Sequence, residues 1–354
     1  MFESLKVIEL ATVLAGPAVG MFFAELGAEV IKIEHPSLPD VTRSWKLPSE
    51  SSDDPVSAYF SSVNYRKQYQ KIDLTSPEGV AEIRTLIETA DILLLNFKKG
   101  DDLKFGLTST EVFAINPRIL IGKITGFGDE SDRVAYDLIL QAESGLMSMN
   151  GTPESGPVKM PVAFIDVLAA HQLKEGLLVA LIERQISGKG QEVSVSLYDA
   201  AVSSLVNQAS NYLMEGHVPQ RIGSLHPNIA PYGELFPTAD QKQVTFAIGS
   251  NRHFEGLCTY LGLPELITDE RFSVNGQRVK NRTALFQVLQ PIILQHTSEK
   301  LNLAMLAQHI PFGIIRSLDE VFTDPVAQSL VRTEIIAGKT TKRVTSIAFK
   351  RHGN

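Results

Sequence analysis

A single carboxylate, Asp166, lies where the sequence changes from a loop into a long helix. Pro157 and Pro161 mark the loop, and apolar residues recur at helical spacing from Leu168 onward. An aspartate at this point has two interpretations. It caps the free backbone N–H groups at the helix start, or it is a nucleophile that a rigid element aims at a substrate. This stretch alone leaves both interpretations open.

The composition is that of an ordinary globular protein, with 44% hydrophobic and 21% charged residues in a chain of 354. This length accommodates one large domain or two of average size. The formal net charge of -7 argues against broad binding of nucleic acid, because no basic run offsets it. A small anionic ligand can still bind through a few local cations.

The number of cysteines and the hydropathy of the chain indicate the cellular compartment of the protein. Cys258 is the only cysteine, which excludes an intrachain disulfide and a cysteine-rich zinc site. The sequence has no H-E-x-x-H motif and no clustered set of His and Asp, so we expect no metal. The chain begins without a leader-like apolar block, and no stretch approaches the roughly 20 apolar residues that span a bilayer. We therefore expect a soluble, cytoplasmic protein with no membrane contact.

Strands and helices alternate over the first half of the chain, which is typical of the α/β class. A strand at 5–11, a helix that begins near Pro17 and a strand at 28–34 form a βαβ unit. Further strands are predicted at 69–74, 91–97, 119–125 and 192–196, and helices at 76–89, 136–144, 166–184 and 199–214. A parallel sheet of this kind binds nucleotide-like ligands at its strand ends. Gly16 and Gly20 do not complete the G-x-G-x-x-G fingerprint, so we do not expect an NAD-binding domain.

The character of the chain changes after Glu215. An irregular loop at 226–232 precedes a strand at 245–249 and helices near 252–261, 282–295 and 298–308. We therefore predict a smaller domain at about 215–325. Strand-like stretches between 335 and 349 return to the first domain.

Five stretches along the chain form a set: Leu14-Ala-Gly-Pro-Ala, Leu26-Gly-Ala-Glu-Val-Ile-Lys-Ile-Glu34, Leu95-Asn-Phe97, Gly188 to Ala200, and His226-Pro-Asn228. Together they resemble the family III CoA-transferases, also called the CaiB/BaiF family. Each motif is weak singly, but the set is specific and spans nearly the whole chain. The resemblance implies a Rossmann-like large domain over residues 1–214, completed by 326–354, a small α+β domain over 215–325, and an interlocked homodimer.

The resemblance also implies an activity, the transfer of CoA from an acyl-CoA donor to a free carboxylic acid. Asp166 is then the nucleophile that forms an anhydride and afterwards an aspartyl-CoA thioester. CoA is a substrate in this scheme, and no tightly bound cofactor is needed. Two alternatives stay open, an acyl-CoA racemase or isomerase on the same fold and a non-catalytic relative that binds CoA esters. A racemase would need a second acid/base group near Tyr136, and no histidine lies between His35 and His171.

Other site residues follow from the same resemblance. Asp137 is expected near the reacting centre beside Asp166, and its alternative role is to cap its own helix. Asn96 and Phe97 follow a strand and are expected to contact CoA, with an ordinary strand-end turn as the alternative. Tyr136 belongs to the same expected CoA site.

Cations beside this site are candidates for contact with the CoA phosphates as point charges. Lys98, Lys99 and Lys104 surround the turn after the strand, although solvated surface lysines are the common alternative. His35 and Arg43 follow the second predicted strand and are expected to share this role. An imidazole is a poorer phosphate clamp than a guanidinium.

The first turn of the first helix is the expected place of oxyanion stabilisation. Leu14 and Ala15 are predicted to border the bound ester, and Leu14 has no side-chain donor. Backbone N–H groups between Ala15 and Ala18 would then hold the developing negative charge. The loop at 226–231 either borders the acyl pocket or forms a rigid turn. His171 and Cys258 are expected to be packing residues.

Overall fold

The computed structural model describes residues 2–350 and 352 and divides into two compact units. The first unit comprises Met1–Met149, Val158–Pro219 and Val326–Asn354, and the second comprises Asn150–Pro157 and Gln220–Pro325. The sequence placed residues 150–157 in the large domain. They belong with the second unit, where the backbone N–H of Gly223 donates to the carbonyl of Gly151 at 2.8 Å.

A parallel six-stranded sheet forms the centre of the first unit. Its strands are β1 (Lys6–Glu9), β2 (Glu29–Glu34), β3 (Gln68–Lys71), β4 (Ile92–Leu95), β5 (Leu120–Thr125) and β6 (Gln191–Ser196). They lie in the order β3-β2-β1-β4-β5-β6, so the direction of strand addition reverses between β1 and β4. In an open sheet, ligands bind outside the carboxyl ends of the strands at such a reversal. The predicted α/β class is confirmed.

Helices cover both faces of the sheet, which explains the unbroken apolar runs of its central strands. Ile92 and Leu94 belong to one hydrophobic cluster with residues of two helices, Ala15–Glu25 and Phe164–Ser187. Leu93 and Leu95 belong to a second cluster with residues of the helices Pro77–Glu88 and Ser109–Ile115. The helices of this part are α1 (Ala15–Glu25), a 3-10 helix (Val41–Ser44), α2 (Ala58–Ser61), α3 (Pro77–Glu88), α4 (Asp101–Lys104), α5 (Ser109–Ile115), α6 (Asp137–Glu143), α7 (Leu146–Met149), α8 (Phe164–Ser187), α9 (Leu197–Ser203) and α10 (Val206–Glu215).

The structure differs from the sequence prediction in two helices that matter for the site. The helix predicted at 166–184 begins earlier, at Phe164, so Asp166 is its third residue. The helix predicted at 199–214 is divided into α9 and α10. The division occurs because Val206 has a positive φ of 33°, which is incompatible with a continuous right-handed helix.

The second unit has its own core. A three-stranded antiparallel sheet packs with helices around Phe236, Phe246 and Phe254. The elements are β7 (Phe236–Pro237), β8 (Gln243–Phe246), α11 (Asn251–Leu261), α12 (Glu265–Thr268), α13 (Asn275–Lys280), α14 (Arg282–Ile293), α15 (Ser298–Ala307), β9 (Phe312–Ile314) and α16 (Leu318–Val321).

The chain ends on a short helix and a hairpin, α17 (Pro325–Ser329), β10 (Val331–Ile336) and β11 (Lys339–Val344). The hairpin strands pair antiparallel, with Val331 opposite Val344. The side chain of Glu25 accepts a hydrogen bond from the backbone N–H of Ser346 at 2.8 Å, which ties this segment to α1. None of the helices described here combines the length and apolar character needed to cross a bilayer.

Two glycines let α1 pack closely against the start of the chain. A Cβ at Gly16 would lie 2.3 Å from the Cβ of Ala11, and a Cβ at Gly20 would lie 1.9 Å from a carboxylate oxygen of Glu9. Glu9 is fully buried, so its carboxylate cannot swing into solvent to make room. Gly16 and Gly20 therefore allow α1 to pack closely. This packing explains the two glycines, which do not form a dinucleotide fingerprint.

We predict that Gly20→Ala destabilises the protein by roughly 1–3 kcal/mol, because the added methyl group must displace a buried carboxylate. Alanine has a higher helix propensity than glycine, so the free energy of unfolding would fall although the substitution favours the helix. Thermal and urea unfolding measure the effect. The matched control is Gly276→Ala in α13, where no heavy atom lies within 4 Å of the added Cβ. Equal stability of the two variants would contradict the close packing of α1.

Candidate active site

Asp166 stands in the first turn of α8 without capping it. The N-cap residue is Ala163, and no side chain makes a capping hydrogen bond within this helix. The carboxylate of Asp166 is nevertheless buried, with 7% of the residue exposed. The capping interpretation of Asp166 is therefore wrong. A negative charge at this position is favoured by the positive end of the helix dipole.

Asp137 supplies the cap that Asp166 does not. Its Oδ1 accepts hydrogen bonds from the backbone N–H of Ile165 at 2.7 Å and of Asp166 at 3.4 Å. Its Oδ2 accepts from Gln141 Nε2 at 2.5 Å, and Gln141 in turn accepts from the backbone N–H of Met160 at 2.8 Å. Asp137 does not cap α6, its own helix. Its carboxylate instead fixes the chain that enters α8.

The environment of Asp166 changes its acidity. Burial raises the pKa of Asp166, and the negative charge of Asp137 adds to the rise, so that the pKa is about 7. Both the ionised and the neutral carboxyl are therefore populated near neutral pH. A strongly raised pKa in a partly enclosed site is a feature of functional carboxylates.

Three aromatic rings pack together, and one of them belongs to Tyr136, the residue before Asp137. Trp45 packs edge-on against Tyr59 with ring centroids 5.1 Å apart, and the ring centroid of Tyr136 lies 6.4 Å from that of Trp45. Burial raises the pKa of Tyr59 to about 12, and the charges of Asp166, Asp137 and Asp40 act in the same direction. Tyr59 therefore stays protonated and lies close enough to Asp166 to experience its charge.

Sequence reasoning found only Tyr136 of these three rings. Trp45 is the only tryptophan of the chain, which was the one available signal. It lies between the predicted strands at 28–34 and 69–74, and Tyr59 lies in the four-residue helix α2. Neither position has a periodic pattern that points to the site.

A cavity of about 430 Å³ opens at the carboxyl ends of β4 and β5. It is lined by several of the predicted residues, Asn96, Phe97, Lys98, Lys99 and Tyr136. The cavity is therefore bordered by residues that follow β4 and by Tyr136, which precedes Asp137. It lies at the carboxyl ends of the strands, next to the reversal between β1 and β4, where α/β proteins bind their ligands.

Asn96 lines the cavity, but its side chain is bound to the protein. Its Nδ2 donates to the carbonyl of Thr12 at 2.9 Å, and its Oδ1 accepts from the N–H of Thr12 at 3.1 Å. This reciprocal pair joins the loop after β1 to the end of β4. Phe97 contacts Phe105 edge-on at 5.5 Å.

Three of the predicted cations are paired within the protein. His35 lies 3.3 Å from Asp73 through Nε2, and its Nδ1 accepts from the backbone N–H groups of Ser37 and Leu38. Arg43 binds both oxygens of Glu34, at 2.9 and 2.7 Å. Lys99 donates to the carbonyl of Glu130 at 2.8 Å.

The other two predicted cations differ in position. Lys98 lines the cavity. Lys104 lies at the end of α4, with its ammonium over the ring of Phe105 at 5.2 Å. At the sheet edge, Lys98 is thus the better placed of the two for a ligand phosphate.

Leu14 and Ala15 are buried at the start of α1. Leu14 is the N-cap residue and makes no side-chain cap, in agreement with its lack of polar atoms. The preceding residue, Val13, lines the cavity and has a positive φ of 72°. Val13 was missed from the sequence, because a β-branched residue is not expected in that conformation.

The remaining polar candidates lie elsewhere. Cys258 is buried in α11, and burial raises the pKa of its thiol to about 12, which makes it unreactive. Burial lowers the pKa of His171 in α8. Within residues 2–350 and 352, no group of His, Cys, Asp and Glu side chains has the arrangement of a metal site.

Comparison with known proteins identifies the family. The family model described as CoA-transferase family III matches residues 2–350. The chain is 38% identical to the succinate–glutarate CoA-transferase of Agrobacterium fabrum over 333 residues, which cover 92% of this chain and 83% of the relative. It is 32% identical to the succinyl-CoA–D-citramalate CoA-transferase of Chloroflexus aurantiacus, with 91% and 80% covered.

The chain belongs to CoA-transferase family III. It is an enzyme of the CoA-transferase class, and the resemblance inferred from its motifs is confirmed. Its fold is similar to that of a CaiB/BaiF family protein from Brucella suis, with a TM-score of 0.83 and 37% identity over 98% of this chain and 91% of the other.

In this family III CoA-transferase, the ionised Asp166 is expected to cost folding free energy. Its pKa of about 7 in the folded protein exceeds the usual value of 3.8, so the folded state retains the proton to a higher pH. Stability therefore falls as pH rises from about 4 to about 7, and the penalty is complete above that window.

We predict that Asp166→Asn stabilises the protein at pH 8 by on the order of 2 kcal/mol, because it removes this penalty. The gain should largely disappear near pH 3, where the carboxyl is mostly protonated in both states. Thermal unfolding of both proteins across this pH range measures the difference. A difference that does not change with pH would contradict the raised pKa.

Proposed function

We propose that Asp166 is the nucleophile of the CoA transfer. The single observation that carries this proposal is a buried carboxylate at the positive end of α8. It makes no capping hydrogen bond, and no cation is paired to it among the described residues. Removal from water and lack of a counterion leave the ionised oxygen available for attack. A structural aspartate in this position would be expected to have a capping or ionic partner.

The reaction then runs in four balanced steps. The Asp166 carboxylate attacks the thioester carbonyl of the donor, which gives a mixed anhydride and the CoA thiolate. The thiolate attacks the Asp166 carbonyl of the anhydride, which releases the donor acid and leaves an aspartyl-CoA thioester. The acceptor carboxylate attacks that thioester and displaces the thiolate again. The thiolate finally attacks the acyl carbonyl of the acceptor, which releases its CoA ester and restores Asp166.

The surroundings of Asp166 suit these steps. Each step exchanges one activated acyl group for another, so the chemistry needs no energy source. The anhydride and the aspartyl thioester must be kept from water, and burial of Asp166 provides this. Asp137 holds the N–H of Ile165, so the carbonyl of Asp166 is presented from a fixed helix start.

We further propose that the cavity at the ends of β4 and β5 holds part of the CoA ester. Phe97 and Tyr136 offer ring surfaces, and Lys98 offers a positive charge for a phosphate. His35, Arg43 and Asn96 contribute through the loops that they stabilise, since each is already bonded within the protein.

The donor and acceptor follow from the relatives. The two transferases compared above are named for succinate with glutarate and for succinyl-CoA with D-citramalate. We propose that this enzyme likewise transfers CoA between dicarboxylic acids, with succinyl-CoA as donor. A cytoplasmic location remains a prediction from the single cysteine.

A homodimer is proposed on the exposure of α10. This ten-residue helix has no buried residue, and Val206, Leu213 and Met214 are 66%, 78% and 78% exposed. An amphipathic helix forms stably when its apolar side is covered. A second copy of the chain covering α10 would agree with the interlocked homodimer that the resemblance implies.

Trapping of the acyl-enzyme tests the proposed nucleophile. We expect succinyl-CoA followed by a hydroxylamine quench to modify Asp166, as mapped by mass spectrometry. Asp166→Ala should show no modification and lose at least roughly 1,000-fold in transfer rate to glutarate. The matched control is Asp53→Asn, which removes an exposed carboxylate from the same unit. Deuterium exchange at the donor α-carbon without transfer would instead support a racemase.

The influence of Asp137 on Asp166 is tested by pH. The nucleophile must be ionised, so kcat/KM for the CoA ester should rise with pH to a plateau, with a midpoint near the pKa of about 7. Asp137→Asn keeps an oxygen for the N–H of Ile165 and removes the negative charge. We therefore predict a lower midpoint for this variant.

The same pH series includes Asp53→Asn, which loses an equal charge away from Asp166. Its midpoint should equal that of the wild type. A wild-type midpoint in Asp137→Asn would mean that Asp137 does not influence the acidity of Asp166.

A further inference from the structure

The loop between β1 and α1, together with the first turn of α1, is held by side chains at four backbone positions. Lys32 Nζ donates to the carbonyl of Ala11 at 2.7 Å, and Asn96 binds both backbone groups of Thr12. Asp40 Oδ2 accepts from the N–H of Val13 at 3.2 Å. At the far end, Lys67 Nζ donates to the carbonyl of Pro17 at 2.8 Å.

Three of these four contacts come from one group of charged side chains. We call Glu9, Lys32, Asp40 and Lys67 the buried ion cluster, because all four side chains are 0% exposed. Lys32 lies 3.1 Å from Glu9 and 3.0 Å from Asp40, and Lys67 lies 2.7 Å from Glu9. Two positive and two negative charges balance, which is the condition for burying such a group.

Lys32 and Asp40 of the buried ion cluster remain charged. Burial by itself would lower the pKa of Lys32, but the charges of Glu9 and Asp40 outweigh burial and raise it. Burial would raise the pKa of Asp40, but Lys32 and Thr42 outweigh burial and lower it. Removal of one member would therefore leave an unpaired charge inside the protein.

Val13 shows what the buried ion cluster enforces. Its φ of 72° lies in the left-handed region, which β-branched side chains strongly disfavour. Such a conformation persists only where its surroundings over-determine it, and it is typical of functional sites. Here the bonds of Thr12 and Val13 to Asn96 and Asp40 supply that constraint.

The strained residue lies at the site. Val13 lines the cavity together with Tyr136, the neighbour of Asp137. The charge of Asp40, which holds Val13, acts on the pKa of Tyr59 in the same direction as the charges of Asp166 and Asp137. Helix α1, which begins two residues after Val13, packs against α8, which carries Asp166.

We propose that Asp40, held by Lys32, is a positioning residue that keeps Val13 and the start of α1 in place against the ester that Asp166 attacks. This inference rests on the proposed role of Asp166. The bond from Asp40 to Val13 fixes the cavity wall at the reacting end. Displacement of this wall by about 1 Å would misalign the thioester carbonyl with the Asp166 carboxylate.

Asparagine at position 40 separates this role from simple packing. Asp40 Oδ1 accepts from the N–H and the hydroxyl of Thr42, and from the N–H of Val13 at 3.4 Å. Asp40 Oδ2 accepts from the N–H of Val13 at 3.2 Å and pairs with Lys32. An asparagine has one acceptor oxygen, so if that oxygen stays on Thr42, Val13 keeps only the longer of its two contacts. Position 40 is the N-cap of the 3-10 helix, which favours the bond to Thr42. The NH2 group of the asparagine would then face two other donors, the N–H of Val13 and the ammonium of Lys32.

The test compares Asp40→Asn with Thr42→Val, a buried change that removes one hydrogen bond from Asp40 and leaves Val13 bound. We expect Asp40→Asn to lower kcat for transfer from succinyl-CoA to glutarate by roughly 10–100-fold, with KM for succinyl-CoA within about threefold. Acylation of Asp166, measured by hydroxylamine trapping, should slow by the same factor. Thr42→Val should lower the melting temperature and keep kcat.

Several outcomes overturn the proposal: an unchanged kcat in Asp40→Asn, a change confined to KM, or equal loss of kcat in both variants. The activity of the wild type separates the role of Asp40 from the proposed role of Asp166. If the wild type is active and Asp40→Asn is equally active, only the positioning role of Asp40 is overturned. If the wild type transfers no CoA, both proposals are overturned.

If Asp40→Asn does not fold, a double variant tests the positioning role instead. Lys32→Met combined with Asp40→Asn removes one charge of each sign, so Glu9 and Lys67 still balance. The same fall in kcat in this folded double variant would support the positioning role, and wild-type kcat would overturn it.

Discussion

The rest of the first unit depends on one feature, a carboxylate that is kept from water and has no counterion in the described part of the chain. Burial raises the pKa of Asp166 to about 7, and the charge of Asp137 adds to the effect. The ionised form is tolerated because it lies in the first turn of α8, where backbone dipoles replace part of the lost hydration. Folding therefore works against this charge, and the surrounding contacts must compensate for it.

The structure contains two kinds of buried aspartate, and their partners distinguish them. Asp40 is bound by Lys32 and Thr42, and these contacts lower its pKa despite burial. No such cation pairs with Asp166 among the residues that the structure describes, and the pKa of Asp166 rises. A paired buried charge rigidifies the chain around it, whereas an unpaired one remains reactive. The same chemical group thus has a structural role in the loop after β2 and, in the proposed mechanism, a reactive one at the start of α8.

Many side chains that are suited to ligand contact are instead used to shape the protein. Asn96 binds the backbone of Thr12, and Arg43 binds Glu34 through two hydrogen bonds. These bonds connect the loops after β1, β2 and β4 at the edge where the strand order reverses. A ligand at this edge meets a wall that is already assembled, which limits the ordering that binding must supply. The site is therefore largely formed before any substrate enters.

The sequence by itself determined the α/β class, the long helix at Asp166 and the family, because periodic apolar patterns and contiguous motifs are local in the chain. It also placed Asp137 near the reacting centre, but by resemblance rather than by physical argument. Only the tertiary structure decided that Asp137 caps α8, that Trp45 packs against Tyr59 and Tyr136, and that Val13 is strained. These features join residues far apart in sequence through single hydrogen bonds and ring contacts. Such contacts have no period and no fixed spacing, so they appear only when the chain is folded.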